Sequence, residues 1–166
     1  MNKKKLKLLV ILGDGGHTTE MLVLVDLLGP KYDYAYLVSH DDLISEGKIR
    51  IPGPVYRTFV PTHKHKRRWY HFLNLWNILR FGLSELGVLL KVRPQAILSV
   101  GAGIAVPISI WGRLLGVRVI HVETGSRVYS MSTTGKWMYR IAHLFFVQWE
   151  PLQKKYPKAI YAGRLL

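Results

Sequence analysis

Short runs of apolar residues alternate along the chain with segments whose apolar positions recur every three or four residues. Short runs rich in β-branched and aromatic residues are typical of buried strands, and the longer spacing is typical of amphipathic helices. The predicted strands are residues 6–12, 34–39, 55–60, 95–100, 117–122, 144–148 and 159–161. The predicted helices are residues 18–28, about 69–92, 104–115, about 134–142 and 151–155. This alternation predicts an α/β fold in which a Rossmann-like parallel sheet is flanked by helices.

The length of the chain limits how many such sheets it can contain. Its 166 residues, 49% of them hydrophobic, are enough for one hydrophobic core and too few for two. We therefore expect residues 1–166 to form a single domain. The sequence contains no cysteine, which excludes disulfides and thiolate metal sites and is compatible with a reducing compartment.

The net charge of +14 is unevenly distributed. Residues 1–47 contain five Lys or Arg and seven Asp or Glu. The other 19 of the 24 basic residues lie in 48–166, with only three of the ten acidic residues. A positive field attracts anionic lipid head groups, nucleic acid or phosphorylated substrates. The charge alone does not distinguish among these ligands.

Three loops directly follow predicted strands, and two of them are rich in glycine. The first contains Gly15, Gly16, His17 and Thr18 and opens a helix, where exposed amides favour an anion. It has neither the spacing of a dinucleotide fingerprint nor the lysine of a P-loop. The alternative is a plain strand–helix turn in which Thr18 caps the helix and His17 is merely exposed.

The second and third loops carry further candidate ligands. Gly101 and Gly103 form a second glycine turn, which is explained equally well by close packing of a helix on the sheet. In the third loop, Glu123 could accept hydrogen bonds from sugar hydroxyls and Arg127 could hold a diphosphate, unless the two form a structural ion pair. Because ligands of open parallel sheets bind at the carboxyl ends of the strands, we expect the three loops to line one crevice.

A basic and aromatic segment precedes the longest predicted helix. Residues 64–92 form a candidate amphipathic membrane-contacting segment, because basic residues and interfacial aromatic residues lead into an unusually broad apolar face. The alternative is a solvated loop followed by a core helix. The proposed membrane contacts are Lys64, Lys66, Arg67, Arg68, Trp69, Phe72, Leu73 and Trp76.

Several motifs in this order resemble the asparagine-linked glycosylation protein fourteen family and its bacterial polysaccharide-synthesis relatives. Two glycine loops carry the resemblance, GGHT at 15–18 and GAG at 101–103, the latter followed by Pro107. The second half carries VETGSRV at 122–128, STTGK at 132–136, FVQW at 146–149 and YAG at 161–163. The resemblance therefore covers nearly the whole chain.

That resemblance implies that this chain is the N-terminal, acceptor-side half of a GT-B glycosyltransferase that is split into two subunits. The pair of subunits would transfer a sugar, N-acetylglucosamine or another hexose, from a UDP-sugar to a polyprenyl-diphosphate-linked sugar, with inversion and without a metal. This chain would bind the acceptor and recruit a catalytic donor-binding subunit that holds most of the UDP-sugar, so no cofactor is expected to bind it tightly. It would be inactive alone and would lie at the cytoplasmic face of a membrane, as a peripheral or monotopic protein.

The resemblance also implies roles for individual residues, and we treat these roles as hypotheses. His17 is a candidate catalytic base or acceptor-orienting group, and Glu123 is the alternative. Acceptor or phosphate contacts are expected from Gly15, Gly16, Thr18, Gly101, Gly103 and Arg127. The tail 148–166 is the expected partner surface. The competing hypotheses are a basic nucleotide- or nucleic-acid-binding Rossmann module without transferase activity, and a non-catalytic membrane scaffold.

Overall fold

The computed structural model describes residues 5–60 and 75–165. Seven strands are present in this part of the chain: β1 Lys7–Ile11, β2 Asp33–Ser39, β3 Val55–Thr58, β4 Ala96–Val100, β5 Arg118–Val122, β6 Leu144–Val147 and β7 Ile160–Tyr161. Five α-helices accompany them: α1 Gly16–Leu28, α2 Leu75–Val92, α3 Ala105–Leu114, α4 Thr133–Ile141 and α5 Glu150–Lys155. Short 3₁₀ turns lie at Gly29–Lys31 and Glu46–Lys48.

All seven strands form one parallel sheet in the order β3-β2-β1-β4-β5-β6-β7. The chain builds outward from β1 to β3 in one direction and then from β4 to β7 in the other. The reversal lies between β1 and β4, where Ile11 pairs with Ser99 near the strand ends. The predicted fold class is confirmed, and the crevice of such a sheet is expected beside these two strand ends.

The sheet has a separate hydrophobic core on each face. Alternate residues of β1 contribute to both, because successive side chains of a strand point to opposite faces. Leu9 and Ile11 belong to the core that includes residues of α2, α3, α4 and α5. Val10 belongs to the other core, which includes Met21 and Val25 of α1. Apolar residues buried on both sides explain why the strands read as continuous hydrophobic runs.

The predicted boundaries differ from the observed ones by two residues at the end of β3, which stops at Thr58, and at the start of α1. The helix begins at Gly16, two residues earlier than predicted, and its N-cap is Gly15 with φ 64°. No side chain caps this helix, so the alternative in which Thr18 is the cap is wrong. Glycine is favoured at position 15 because an L side chain would be strained at this positive φ.

Candidate functional site

The three loops after β1, β4 and β5 come together at the carboxyl edge of the sheet. A β-carbon added to Gly13 would lie 2.8 Å from the Ala102 β-carbon, so the first and second loops are in direct contact. A β-carbon added to Gly101 would lie 3.2 Å from the β-carbon of Thr124 in the third loop. The convergence expected from the strand order is therefore present in the structure.

Two of the predicted glycines are required by the fold and two are not. Gly15 and Gly101 have positive φ angles of 64° and 59°. A side chain at Gly16 would meet nothing within 4 Å, and one at Gly103 would meet only Thr134 Oγ1 at 3.9 Å. Neither packing among the described residues nor a positive φ explains glycine at positions 16 and 103, and both face open space.

His17 lies over the second loop and beside a buried carboxylate. A β-carbon at Gly101 would lie 2.6 Å from both Cε1 and Nδ1 of His17, so the imidazole occupies the space that this glycine leaves free. The His17 Nδ1 atom is 3.9 Å from Oε2 of Glu20, an ion-pair distance too long for a hydrogen bond. About a third of the His17 side chain is exposed, whereas Glu20 is buried.

Glu20 joins helix α1 to the third loop. Its Oε1 atom accepts hydrogen bonds from the Gly125 N–H at 2.8 Å and from the Thr124 hydroxyl at 3.3 Å. Burial alone would raise the pKa of Glu20, but His17 and the Gly125 and Thr124 donors together hold it below its ordinary value. The carboxylate is therefore ionised at neutral pH and faces His17. Glu20 is not among the site residues predicted from the sequence, although its position three residues after His17 places both on one helix face.

Glu123 is buried at the end of β5 and is surrounded by hydrogen-bond donors. Its Oε1 accepts from the Thr124 N–H at 3.1 Å and from the Ser132 hydroxyl at 2.9 Å, and its Oε2 accepts from the Ser132 N–H at 3.1 Å. Burial raises its pKa, although these bonds and the nearby Arg127 charge oppose the shift. Gly135 leaves the space for this carboxylate. In this arrangement Glu123 organises the third loop and does not face the crevice.

Ser132 connects that carboxylate to helix α4. It is the N-cap residue, and its hydroxyl accepts a hydrogen bond from the Gly135 N–H at 2.8 Å. Since Ser132 donates to Glu123 while capping the helix, residues 124–132 are held at both ends. The Gln148 amide adds a third support by donating to the Glu123 carbonyl at 3.1 Å.

Arg127 is exposed and forms no ion pair with Glu123. Its side chain has no acidic partner within ion-pair distance among residues 5–60 and 75–165. The alternative of a structural Glu123–Arg127 pair is therefore wrong, because Ser132 and Thr124 occupy the carboxylate. The guanidinium remains available at the rim of the third loop.

Thr18 is buried behind the first loop. Its hydroxyl donates to the Gly13 carbonyl and lies 2.7 Å from the Ser45 hydroxyl. Ser45 belongs to the segment after β2, where Asp42 Oδ1 accepts its N–H at 2.9 Å. The Thr18 side chain thus fixes the glycine turn against a fourth loop, which the sequence did not indicate.

His121 is a neutral buried residue beneath the crevice. Its Nδ1 atom lies 2.8 Å from the Ser99 hydroxyl on the neighbouring strand. Burial, and secondarily the nearby His17, lowers the pKa of His121 to about 3. It therefore carries no charge at neutral pH and adds nothing to the positive field of the protein.

Most of the predicted membrane contacts, namely Lys64, Lys66, Arg67, Arg68, Trp69, Phe72 and Leu73, lie outside the described residues. Trp76 is described and is 68% exposed at the start of α2. Leu79, Leu83 and Leu90 are also exposed, and their spacing of four and seven residues places them on the same side of the helix. No helix in the described ranges is long and apolar enough to cross a membrane.

Solved structures with the same fold include proteins of about twice the length. The crystal structure of MurG from Acinetobacter baumannii superposes with a TM-score of 0.66 at 18% identity, covering 96% of this chain and 44% of MurG. A UDP-N-acetylglucosamine 2-epimerase from Rickettsia bellii gives a TM-score of 0.68 at 14% identity, covering 97% of this chain and 45% of the enzyme. The chain thus has the Rossmann-like fold found in GT-B glycosyltransferases and spans less than half of either protein.

Sequence relatives match over nearly the full chain. The human UDP-N-acetylglucosamine transferase subunit ALG14 is 30% identical over 184 aligned residues, covering 99% of this chain and 85% of the relative. The Schizosaccharomyces pombe subunit alg14 is 34% identical, covering 94% of this chain and 81% of the relative. The family model for "Oligosaccharide biosynthesis protein Alg14 like" matches residues 8–165. Since that match covers the whole sheet except Lys7 and includes all three crevice loops, the chain belongs to the Alg14-like family of oligosaccharide biosynthesis proteins.

Proposed function

We propose that this chain is the acceptor-binding subunit of a two-component UDP-sugar glycosyltransferase. The observation that carries the proposal is the position of His17, whose side chain is about one-third exposed where three loops meet at the carboxyl edge of the sheet. Its relatives are named as subunits of a UDP-N-acetylglucosamine transferase, which supports this substrate class. The transferred sugar is N-acetylglucosamine or another hexose, and the acceptor is a polyprenyl-diphosphate-linked sugar.

A second subunit is proposed because the relatives are named as subunits of a transferase. This chain covers 44% of MurG, and its described strands form a single sheet. One sheet provides one wall of a crevice, so a donor-binding catalytic subunit provides the other wall and holds most of the UDP-sugar. The chain is inactive without that partner.

His17 is the proposed general base. Because Nδ1 faces the ionised Glu20, a proton on Nδ1 leaves the lone pair of Nε2 directed away from the carboxylate. Nε2 accepts the proton of the acceptor hydroxyl as that oxygen attacks the anomeric carbon, and the bond to UDP breaks on the opposite side. Attack from the face opposite the leaving group inverts the anomeric configuration, and UDP departs as the anion.

The surrounding backbone and Arg127 bind the acceptor. At positions 16 and 103 glycine leaves the backbone exposed, although no packing contact requires a glycine there. This is expected where a ligand approaches the backbone closely. Gly15 and Gly101 shape the two turns, and Arg127 pairs bidentately with the diphosphate. Glu123 serves this site as a positioning residue, because both of its oxygens already accept hydrogen bonds.

Attachment to the cytoplasmic face of a membrane is proposed through the exposed apolar side of α2. Trp76, Leu79, Leu83 and Leu90 are exposed there, and Arg80 lies beside them. Apolar side chains with adjacent cations are typical of helices that lie in the interface of an anionic bilayer. Such attachment brings the crevice close to a lipid-linked acceptor.

The proposed partner surface includes the C-terminal segment from Gln148. Gln148 Oε1 accepts the N–H of Leu165 at 2.8 Å, and the Leu165 side chain packs against the core on the α1 face. Arg164 lies over the Trp149 ring at 4.2 Å. The tail is thereby held beside β6 as an ordered surface for the donor-binding subunit.

Reconstitution tests the catalytic proposal. The purified chain, its donor-binding partner, a polyprenyl-diphosphate-linked sugar and UDP-N-acetylglucosamine are mixed, and product is measured for the wild type and for His17→Ala. General-base catalysis contributes roughly 10²–10⁴-fold, so a loss in that range is expected. His40→Ala is the matched control, because His40 is exposed after a neighbouring strand and pairs with Asp41. Full turnover by His17→Ala, or by the wild-type chain without a partner, would disprove the mechanism.

Vesicle flotation tests the membrane proposal. Leu79→Glu with Leu83→Glu should release the chain from vesicles containing phosphatidylglycerol, since each substitution puts a charge on the apolar side of α2. Leu27→Glu is the control, because Leu27 is 71% exposed on α1 at the opposite face of the sheet. Equal flotation of all three proteins would exclude α2 as the contact.

A further inference from the structure

A basic pocket of about 660 Å³ lies on the face of the sheet covered by α3 and α4. Its volume is within the range of roughly 300–1,000 Å³ that is usual for small-ligand sites. The lining residues are Arg113, Met131, Lys136, Tyr139, Arg140, Ala142, Tyr156 and Lys158. Seven of the eight lie outside the crevice loops, and Met131 belongs to the third loop at the end next to α4.

The position of the pocket also separates it from the crevice. Arg113 is in the last turn of α3, Ala142 follows α4, and Lys158 comes shortly before β7. Each of these residues precedes the start of a strand, so the pocket extends toward the amino ends of β5, β6 and β7. His17 and the three loops lie at the carboxyl ends.

The floor of the pocket is rigid. Tyr139 packs edge-to-face against Tyr156, with ring centroids 5.5 Å apart, and against Phe145 at 5.4 Å. The Tyr139 hydroxyl accepts the N–H of Lys158 at 3.1 Å and retains its own proton for donation. Arg113 Nη1 donates to the Ile141 carbonyl at 2.6 Å, which fixes the guanidinium at the wall.

The charge of the pocket is not neutralised within the protein. Arg113, Lys136, Arg140 and Lys158 line it together, and no carboxylate is among the lining residues. In the part of the chain that the structure describes, none of the four forms an ion pair. Like charges held this close repel one another, and an anion bound among them offsets that repulsion.

We propose that this pocket binds a phosphate group of a small ligand or a lipid head group. Guanidinium groups match phosphate oxygens bidentately, lysine ammonium groups add point charges, and the tyrosine hydroxyls donate further hydrogen bonds. The site is independent of the proposed transferase crevice. Its neighbours Leu114 and Trp137 are 72% and 55% exposed, so a phosphate carried by a lipid would be accompanied by apolar contacts.

Binding of inorganic pyrophosphate, measured by calorimetry on the full chain, tests the site. The double variant Lys136→Gln/Arg140→Gln removes two exposed cations from the lining and should weaken binding at least about tenfold. The control Lys31→Gln/Lys48→Gln removes the same charge from exposed positions elsewhere and should bind as the wild type does. Circular dichroism checks that both variants are folded.

A second measurement, binding to phosphatidylglycerol vesicles, distinguishes the two sources of phosphate. If the ligand is a lipid head group, the pocket variant should also lose affinity for phosphatidylglycerol vesicles, and pyrophosphate should compete with them. If it is a free phosphate compound, vesicle affinity should match that of the Lys31→Gln/Lys48→Gln control. Equal pyrophosphate binding by wild type, pocket variant and control would overturn the proposal, as would an equal loss in both variants.

Discussion

Gly101 lies directly beneath the imidazole of His17. A β-carbon at position 101 would lie 2.6 Å from both Nδ1 and Cε1 of that ring, closer than real contacts allow. Gly101→Ala should therefore displace His17 and lower kcat of the reconstituted enzyme by about tenfold or more. Turnover at saturating acceptor and donor measures this effect.

Gly116→Ala is the matched control for backbone strain. Gly116 also has a positive φ, 76°, but a side chain there would meet nothing within 4 Å, and the residue lies between α3 and β5. The positive φ alone should cost each variant about 1 kcal/mol of stability, and only Gly101→Ala adds a clash with His17. Equal activity of the two variants would show that the space beneath His17 has no role in turnover.

Glu20→Gln tests the carboxylate that joins α1 to the third loop. The pKa of Glu20 is lowered in the folded protein, so the ionised group stabilises the fold above its unfolded value of 4.5, and this stability is lost as pH falls through the folded pKa. The variant should be less stable by about 1–2 kcal/mol at pH 7 and should show a smaller loss of Tm on acidification. Thermal unfolding across pH measures both effects.

Asp26→Asn provides the comparison for Glu20. Asp26 pairs with the exposed Arg50 at 3.1 Å, and such surface pairs contribute about 1 kcal/mol or less. Its Tm profile should follow the wild type closely. If Glu20→Gln and Asp26→Asn gave the same profile, the bond from Gly125 would be unimportant for stability.

Glu123→Gln separates a positioning role from a catalytic one. An amide nitrogen cannot accept from Ser132, so the variant should lose about 1–3 kcal/mol of stability. Ser132→Ala should act in the same direction, because it removes both the α4 cap and a donor to Glu123. The two variants should lose Tm and activity in parallel. Complete loss of turnover by Glu123→Gln at an unchanged Tm would instead identify a catalytic base.

Glu85→Gln should change how stability depends on pH. Glu85 is fully buried on α2, neither of its oxygens has a hydrogen-bond partner among the described residues, and burial raises its pKa to about 9. The Glu85 carboxyl group therefore stays protonated in the folded protein up to about pH 9, whereas in the unfolded chain it loses its proton above pH 4.5. Its contribution to stability is complete below pH 4.5 and is lost between pH 4.5 and about 9. The variant should lack this decline and should unfold at a higher temperature than wild type at pH 9.

Glu46→Gln is the control for that measurement. Glu46 is exposed and pairs with Arg57, so its replacement should leave the alkaline decline of Tm in place. A decline that persists in Glu85→Gln would show that another group is responsible for it.

The central elements of the fold could be predicted because β1, β2 and β4 are buried on both faces. Leu9 and Val10 are adjacent in sequence and fully buried in different cores, which produces an uninterrupted apolar run. The long uncharged run 95–112 likewise divides into β4 and α3 at the predicted glycine turn. Exact helix starts could not be predicted, because the cap of α1 is the backbone of Gly15 and no side chain marks it.

The candidate site was only partly predictable. The strand–loop pattern indicated that His17, Gly101 and the third loop would share one edge, and the sheet order places them together. The pattern did not indicate that Glu20 reaches Gly125, 105 residues later in the chain. Contacts over such separations depend on how α1 packs against the sheet, which no local spacing encodes.

The sequence by itself determined the α/β class, the three crevice loops and the family, because these depend on local periodicity and on motifs in a fixed order. Only the tertiary structure decided what each polar side chain contacts. It enclosed Glu123 among Ser132 and Thr124, left Arg127 free of that carboxylate, and placed Glu20 beside His17. The physical reason is that burial and hydrogen-bond partners come from residues far apart in the chain, and they fix whether a carboxylate faces solvent, a helix cap or an imidazole.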